Sequence, residues 1–410
     1  MSTPAAPGVR QLTAYADRIE SELRQNILPF WLNHARDRER GGFIGEINDG
    51  SGIRKGVPRG ALLTCRVLWT FSAAYRRYHD KAYLDMARWA YDDLLARFWD
   101  QENGGLYWSI TESGQPLDQG KIIYVQSFGI YSLAEYHLAT ADKEPLERAI
   151  ELYRTVEQHS HDHKNLGYFE EFSRDWKKSR ARGPGTAMGS LGQKSQNVHL
   201  HMLEAYTNLL RAWPDAELKA NLREIADVLL TRVMDPATRH LRLFLEEDWS
   251  PQSDTVSYGH DIEFSWLIDE AADVLQDPAL IARAKRDAVA IANVTMKEGL
   301  DVDGAILAEG DPSGVTNRSK DWWPQAEGVV GFLNSYQISR DPAYLSASLK
   351  NWDFIDQRLV DRKNGDWFIG IAPDGKPSGP MKLGFWKCPY HSGRACMEMV
   401  SRLRKLAGTN

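Results

Sequence analysis

Cysteine is scarce in this chain. Cys65, Cys388 and Cys396 are three in 410 residues, an odd count with no Cys-x-x-Cys pair. That excludes a disulfide framework and a zinc ribbon, and leaves the three as small apolar fillers of helices. Long hydrophobic runs are missing too: nothing approaches the roughly 18 apolar residues of a membrane span. The polar start MSTPAAPGVR has neither the charged nor the apolar region of a signal peptide, so the cytoplasm is the expected compartment. No charge of one sign dominates, since 50 Lys and Arg against 56 Asp and Glu give a net −6 with the basic residues scattered. This argues against nucleic acid or an anionic membrane as partner and favours a neutral small molecule, bound by a monomer or weak homo-oligomer. There is no His-Glu-x-x-His pattern. His199 and His201 are two apart, on opposite faces of a helix, and His159, His161 and His163 fall in a polar loop where solvation is expected, so no metal is expected.

What the chain does have is a repeat. An Asp-led block recurs six times: DRERGGFIGEI from Asp37, DQENGGLYWSI from Asp100, DHKNLGYFEEF from Asp162, DPATRHLRLFL from Asp235, DVDGAILAEG from Asp301 and DRKNGDWFIGI from Asp361. The starts are 63, 62, 73, 66 and 60 residues apart, room for two helices and a hairpin-like loop. Within each block a turn signal precedes a short apolar stretch that suits a strand.

The helical segments between blocks are of two kinds. Residues 81–98 carry Lys81, Asp85, Arg88, Asp92 and Arg97 on one side and Leu84, Ala87, Tyr91, Leu94 and Phe98 on the other, the pattern of an outer helix. Residues 59–78 are apolar almost all round, the pattern of an inner one. Inner helices are likewise expected near 121–139, 195–212, 260–275, 322–338 and 388–407, and outer ones near 11–33, 143–160, 215–234, 278–298 and 341–359. Six of each predict an all-α (α/α)6 barrel with short β-hairpin loops at one end, and 1–410 as a single catalytic domain despite its length.

The unusual polar and aromatic residues fall at one phase of this repeat. Arg66, Tyr124, Asn197, His201, His260, Trp322, Trp323, Trp386 and His391 all lie at or near the start of an inner helix, so a closed ring brings them to one concave end. Three histidines, an arginine and several of the 14 tryptophans make aromatic faces with polar edges, which suits a sugar. Pro324 fits a first helical turn, so at most one of Trp322 and Trp323 enters the core and Trp323 is placed in the pocket. Histidine exchanges a proton near neutrality, and two on opposite faces of a planar intermediate can invert a carbon. His260 and His391 are the best placed.

The segments SYGHDIEFSWL, NVHLHMLEAYTNLLR, KDWWPQAEGVVGFLNSY, WTFSAAYRRY, GGLYWS and FWKCPYHSGRACMEM resemble the cellobiose 2-epimerases of the N-acylglucosamine 2-epimerase superfamily. The likeness extends over essentially every repeat, and WWPQAE with PYH-x-x-RA is its specific part. It implies an (α/α)6 barrel that interconverts glucose and mannose at the reducing end of a β-1,4-disaccharide (cellobiose, lactose or mannobiose) without a dissociable cofactor. It further implies His391 as base toward the gluco substrate, His260 as the opposing acid/base, His201 assisting ring opening and Arg66 holding the enediolate oxygen. Tyr124 and Asn197 would position the reducing sugar, with Trp323 and Trp386 stacking on the rings. Glu263, three residues after His260, shares its helix face and is expected to orient a histidine or form an ion pair; Glu309 and Glu327 are further candidates for substrate contact or the same duty.

Two segments depart from the family pattern. The segment before NVHLH reads GTAMGSLGQKSQN, giving Ser-Gln-Asn-Val-His where Ser-Met-Asn-Thr-His is usual, and the Asp301 block is short and lacks aromatics; both bear on the second sugar. Two other chemistries fit the same barrel. An aldose–ketose isomerase would reprotonate the enediolate at C1, and an inverting glycoside hydrolase would need Glu263 and Glu327 as a carboxyl pair about 6.5–9.5 Å apart. A pure sugar-binding protein leaves three histidines without a purpose.

Overall fold

Each Asp-led block closes the same small hairpin. In five copies the Asp N–H donates to the carbonyl five residues on (Gly42, Gly105, Gly167, His240, Asp366), and the residue before that acceptor donates back to the Asp carbonyl. The shorter fifth loop achieves this one residue earlier, with Asp301 N–H donating to Ala305 and Gly304 returning. The turn needs a left-handed residue, which explains Gly41, Gly104, Gly304 and Gly365 there; Leu166 and Arg239 adopt it at φ +67° and +71°. The computed structural model that shows this describes residues 8–49, 52–179 and 193–409.

The Asp side chain explains the rest of the pattern. One carboxylate oxygen accepts the N–H groups two and three residues ahead in five of the six loops. The other meets a cation, buried for Arg59 on Asp37 (2.6 Å), Lys121 on Asp100 (2.9 Å), Lys194 on Asp162 (2.7 Å) and Lys382 on Asp361 (3.1 Å), and partly exposed for Lys320 on Asp301 (2.8 Å). Each of these cations sits on the short strand that leads toward the next inner helix. In the fourth repeat that strand carries Val256, and Asp235 pairs instead with Arg242 of its own loop at 2.7 Å.

Short antiparallel strand pairs join neighbouring repeats. The strand ahead of one inner helix pairs with the strand after the next loop: Arg59 with Ile110, Lys121 with Phe172, Lys194 with Leu245, Ser257 with Glu309 and Lys320 with Ile371. Ile47 with Leu383 joins the last repeat to the first. The two chain ends are also held together by Tyr15 on Asp353 (2.9 Å), Trp31 on Asp366 (3.1 Å) and Trp367 on Glu22 (2.9 Å).

Among the described residues the helices form an (α/α)6 barrel. The inner ring is Ala61–Tyr78, Ile123–Thr140, Gln196–Ala212, Tyr258–Leu275, Trp322–Ser339 and Tyr390–Ala407. Its members are covered on several sides: residues 61–74 are buried without a break. The outer helices bury only a stripe, as Tyr83, Met86, Ala87, Ala90 and Tyr91 do on Lys81–Asp93. Five of them start on an aspartate, Asp80, Asp142, Asp215, Asp277 or Asp341, whose carboxylate accepts a first-turn N–H. Counting the five-residue π-helical turns that continue five of the outer helices, such as Leu94–Phe98 after Lys81–Asp93, all helix limits lie within two residues of those expected from periodicity. The three cysteines are buried thiols.

The HSHDH loop corrects an expectation. His161 is half-buried, with Nε2 2.7 Å from Glu224 and Nδ1 2.9 Å from His163, and His159 stacks on Trp176 at 5.0 Å between ring centroids. Only His163 of the three is exposed. The outer helix Ala216–Val228 brings Glu224 over the loop, which sequence spacing alone does not reveal. The departure at Ser-Gln-Asn-Val-His falls on the cap and first turn of the inner helix Gln196–Ala212, where Ser195 accepts from Val198 N–H and Gln196 and Val198 are buried; residues 180–192 before it lie outside the described residues.

Because the Asp162–Lys194 pair under the third loop is buried, removing one partner leaves a stranded charge. Lys194 also donates to the carbonyls of Leu166 (2.7 Å) and Glu247 (3.0 Å). We expect Lys194→Met to lower unfolding free energy by about 3–5 kcal/mol, measured by urea unfolding; a loss under about 1 kcal/mol would show that the pair is not structural.

Candidate active site

Counting from the first residue of each inner helix, the second and sixth positions share a face and the fourth lies between them on the other side. The fourth position clamps the repeat hairpin. Gln126 accepts from Leu106 N–H (2.7 Å), His199 Nε2 from Tyr168 N–H (2.9 Å), Asp261 from Leu241 N–H (2.8 Å) and Gln325 from Ile306 N–H (2.7 Å). His199 therefore belongs to the scaffold, its Nδ1 held by the Ser195 carbonyl at 2.7 Å, and burial pushes its imidazole down to about 4.

The second and sixth positions turn inward. Tyr124, Asn197, Trp323 and His391 stand at the second, and Arg66, His201, Glu263 and Glu327 at the sixth. With His260, Trp322 and Trp386, all but Glu327 line one cavity of about 300 Å³. In the fourth repeat the second position is Gly259, where a Cβ would lie 2.5 Å from Trp323 Cη2. The missing side chain lets the Trp323 ring pack on that helix, beside His260 at 4.6 Å and His391 at 5.8 Å between centroids. Trp386 is 37% exposed at the rim and packs near Tyr124, Trp108 and Phe385.

The two histidines flanking Trp323 sit in different seats. His391 Nδ1 lies 2.6 Å from Glu327 Oε1 and 4.0 Å from Glu263 Oε1. His260 Nδ1 lies 2.9 Å from the hydroxyl of Ser257, the residue that caps its helix. Burial, then His201, pushes the His260 imidazole down to about 3, against the opposing pull of Glu327. Burial and the guanidiniums of Arg66 and Arg394 hold His391 well below its usual value, and burial lowers His201 despite a 3.0 Å bond from its Nδ1 to Glu204.

Beneath the cavity Arg394 meets three buried carboxylates. One Nη2 is 2.7 Å from Glu263 Oε1 and 2.8 Å from Glu327 Oε1, and Nη1 bonds Glu204, which also accepts from Tyr390. Burial and the neighbouring Glu327 push the Glu263 carboxyl well up, which favours its protonated form. Glu263, Glu327 and His391 are the one group of three possible metal ligands among the described residues, with ligand atoms within 4.8 Å of one another. Arg394 already occupies the point that both carboxylates face. Arg66 differs: no carboxylate lies within ion-pair distance among the described residues, and its guanidinium donates to Tyr124 Oη at 2.7 Å and lies over Phe128 at 4.4 Å.

Most sequence candidates thus converge, with two qualifications. Glu263 shares a face with His260 but its partner is Arg394, and His260 is held by Ser257. Glu327 lies under His391, outside the cavity lining, so its contact is with the histidine. Glu309 lines an adjoining cavity of about 280 Å³ that shares Asn197, His260 and Trp323 with the first. Sequence reasoning missed Arg394, Glu204 and Ser257. Their signal was spacing: Glu204 and Arg394 each stand three residues after a cavity histidine, as Glu263 does, and Ser257 stands three before one.

Residues 42–395 match the family model of N-acylglucosamine 2-epimerase (GlcNAc 2-epimerase). The chain belongs to this family. It is 41% identical over 384 residues to the cellobiose 2-epimerase of Bacteroides fragilis, covering 93% of this chain and 97% of that protein. Identity to the cellobiose 2-epimerase of Dictyoglomus turgidum is 35% over 393 residues, 96% and 100% of the two chains. Among solved structures, the cellobiose 2-epimerase of Bacillus thermoamylovorans B4167 superposes with a TM-score of 0.89 at 36% identity, covering 95% of this chain and 99% of that one.

The depressed imidazoles of this epimerase have a consequence for pH. In the unfolded chain His260 binds a proton below about 6.5, whereas in the fold it resists protonation until about 3. The unfolded state therefore binds more protons between these values, and the stability due to His260 is lost as pH falls from about 6.5 toward 3. The His260 ring resonances in NMR should not titrate between pH 8 and 5; a midpoint near 6.5 would contradict this environment.

Proposed function

We propose that this chain epimerises C2 of the reducing-end glucose or mannose of β-1,4-linked disaccharides through a ring-opened enediolate, the whole ring acting as one catalytic unit. The observation that carries the reading is the pair His260 and His391. Both line the cavity, both flank Trp323, and each has Nδ1 engaged by a fixed partner, which leaves Nε2 as the nitrogen for chemistry. The relatives' names point to the same substrate class.

C2 of an aldose becomes acidic once C1 is an aldehyde, so the ring opens first, with His201 assisting at the ring oxygen and C1 hydroxyl. His391 Nε2 then takes the C2 proton. Its Nδ1–H faces Glu327, and the imidazolium formed gains a short charge-assisted hydrogen bond. The C–H electrons pass into a planar enediolate whose oxygen develops negative charge. Arg66, a buried guanidinium with no carboxylate at ion-pair distance among the described residues, supplies the fixed positive charge that this oxygen requires. Rotation about C2–C3 presents the other face to His260, which delivers a proton and completes the mannose epimer. Tyr124, Asn197 and the indoles of Trp323 and Trp386 hold the sugar meanwhile, and Asn197 Oδ1 has no protein partner among the described residues.

The hydrolase reading fits less well. Glu263 and Glu327 approach within 4.8 Å and share Arg394, which leaves no gap for the attacking water of an inverting mechanism. The test is incubation with cellobiose in deuterated water, followed by proton NMR. Glucosyl-mannose with deuterium at C2 supports the proposal, a ketose would move reprotonation to C1, and free glucose would refute it. His391→Ala and His260→Ala are each expected to cut turnover by about 10²–10⁴-fold while cellobiose still binds; a wild-type rate in either ends the two-histidine scheme.

A further inference from the structure

The two histidines are served by unlike partners, and the partner of His260 leads away from the catalytic cavity. Ser257 caps the helix Tyr258–Leu275 and receives the His260 backbone N–H at 3.5 Å. Its own hydrogen is then free to point at His260 Nδ1, 2.9 Å away. With Nδ1 as acceptor, the ring hydrogen of a neutral His260 lies on Nε2, facing the cavity.

Ser257 lies directly opposite Glu309 across an antiparallel strand pair, and Glu309 lies opposite Asn317 on the third strand. Residues opposite one another on adjacent strands point to the same face. All three line the adjoining cavity beside His260, where Glu309 and Asn317 are half-exposed. Asp321 lines it too, its carboxyl held up by burial and by Glu309. The result is a polar row running from the back of His260 through Ser257 to a carboxylate open to solvent.

Resting on the epimerase reading above, we propose that Ser257 and Glu309 form a proton relay that works His260 from behind. When His260 Nε2–H gives its proton to C2 of the enediolate, Nδ1 takes the Ser257 hydroxyl proton, the serine oxygen takes one from a bridging water, and that water takes the proton of the Glu309 carboxyl, which solvent restores. The C2–H bond forms from the enediolate electron pair, four protons each move one place, and His260 ends neutral with its hydrogen on Nδ1 and Glu309 as a carboxylate. Running backward, Nε2 accepts the C2 proton of the mannose epimer and the row passes a proton out to Glu309. The ring never has to become an imidazolium, which suits a buried histidine with a hydroxyl for a neighbour. His391, backed by Glu327, is the one that carries charge.

The test compares wild type, Ser257→Ala, Ser257→Thr and Glu309→Gln with cellobiose in deuterated water. Two rates are followed, washout of the C2 proton from the glucose epimer and appearance of the mannose epimer. The relay predicts that Ser257→Ala and Glu309→Gln lose mannose formation by roughly 10²-fold or more while washout, which needs proton transfer by His391 and none by His260, stays within about twofold. Ser257→Thr, which keeps the hydroxyl, restores product, and imidazole buffer raises the Glu309→Gln rate in proportion to its concentration. Product rates within twofold of wild type in both deletions, or a loss unmoved by buffer and by threonine, would overturn the relay and leave Ser257 as a helix cap. If wild type itself places no deuterium at C2, it is the epimerase reading that fails.

Discussion

Arg394 and its three carboxylates hold the active end of the barrel together. Glu204, Glu263 and Glu327 come from three different inner helices and meet on a guanidinium from a fourth, all of them buried. Three carboxylates around one cation leave excess negative charge in a low-dielectric setting, and that charge has to be spread. Part is relieved by raising Glu263 toward its acid form, and part by the hydrogen bonds that Glu204 accepts from His201 and Tyr390 and Glu327 from His391 and Trp266. Two of the three cavity histidines are thereby tied to the cluster. Their ring positions follow from an electrostatic knot that also fixes the spacing of four helices.

His260 stands outside this knot. It occupies the third position of its helix where its counterparts occupy the second, because Gly259 has given the second position to the indole of Trp323. The displacement turns His260 Nδ1 to the helix cap and away from the buried carboxylates. An imidazole with a carboxylate behind it is a good base, and one with a hydroxyl behind it avoids charge. Two chemically unlike histidines thus arise from one repeated helix start by the loss of a single Cβ.

Much of this was legible in the sequence, for a physical reason. The Asp-led loops are short, need a left-handed residue and are followed by a strand, so their residue types are constrained and their recurrence is visible; the helix periods between them give inner and outer rings. The site was legible through phase: Tyr124, Asn197, Trp323 and His391 share one repeat position and Arg66 and His201 another. What escaped was partnership. That Arg59, Lys121, Lys194, Lys320 and Lys382 neutralise the loop aspartates depends on strands only two or three residues long, below the reach of periodicity. That Glu263 serves Arg394, and that His161 leaves solvent for Glu224, depends on contacts between elements 131 and 63 residues apart.

The repeat also explains how a symmetric scaffold hosts an asymmetric reaction. Buried hydrogen bonds at the fourth helix position and buried ion pairs under the loops recur around the ring, and a stranded partner at any of them is costly, so those positions are bound to structural duty. The second and sixth positions face a cavity, where no partner from the fold is required. They differ from repeat to repeat for that reason: leucine, tyrosine, asparagine, glycine, tryptophan and histidine at the second; arginine, phenylalanine, histidine, two glutamates and alanine at the sixth. Inverting one carbon requires unlike groups on its two faces. A ring whose inward positions are free of structural duty can supply them without disturbing the bonds that keep the ring closed.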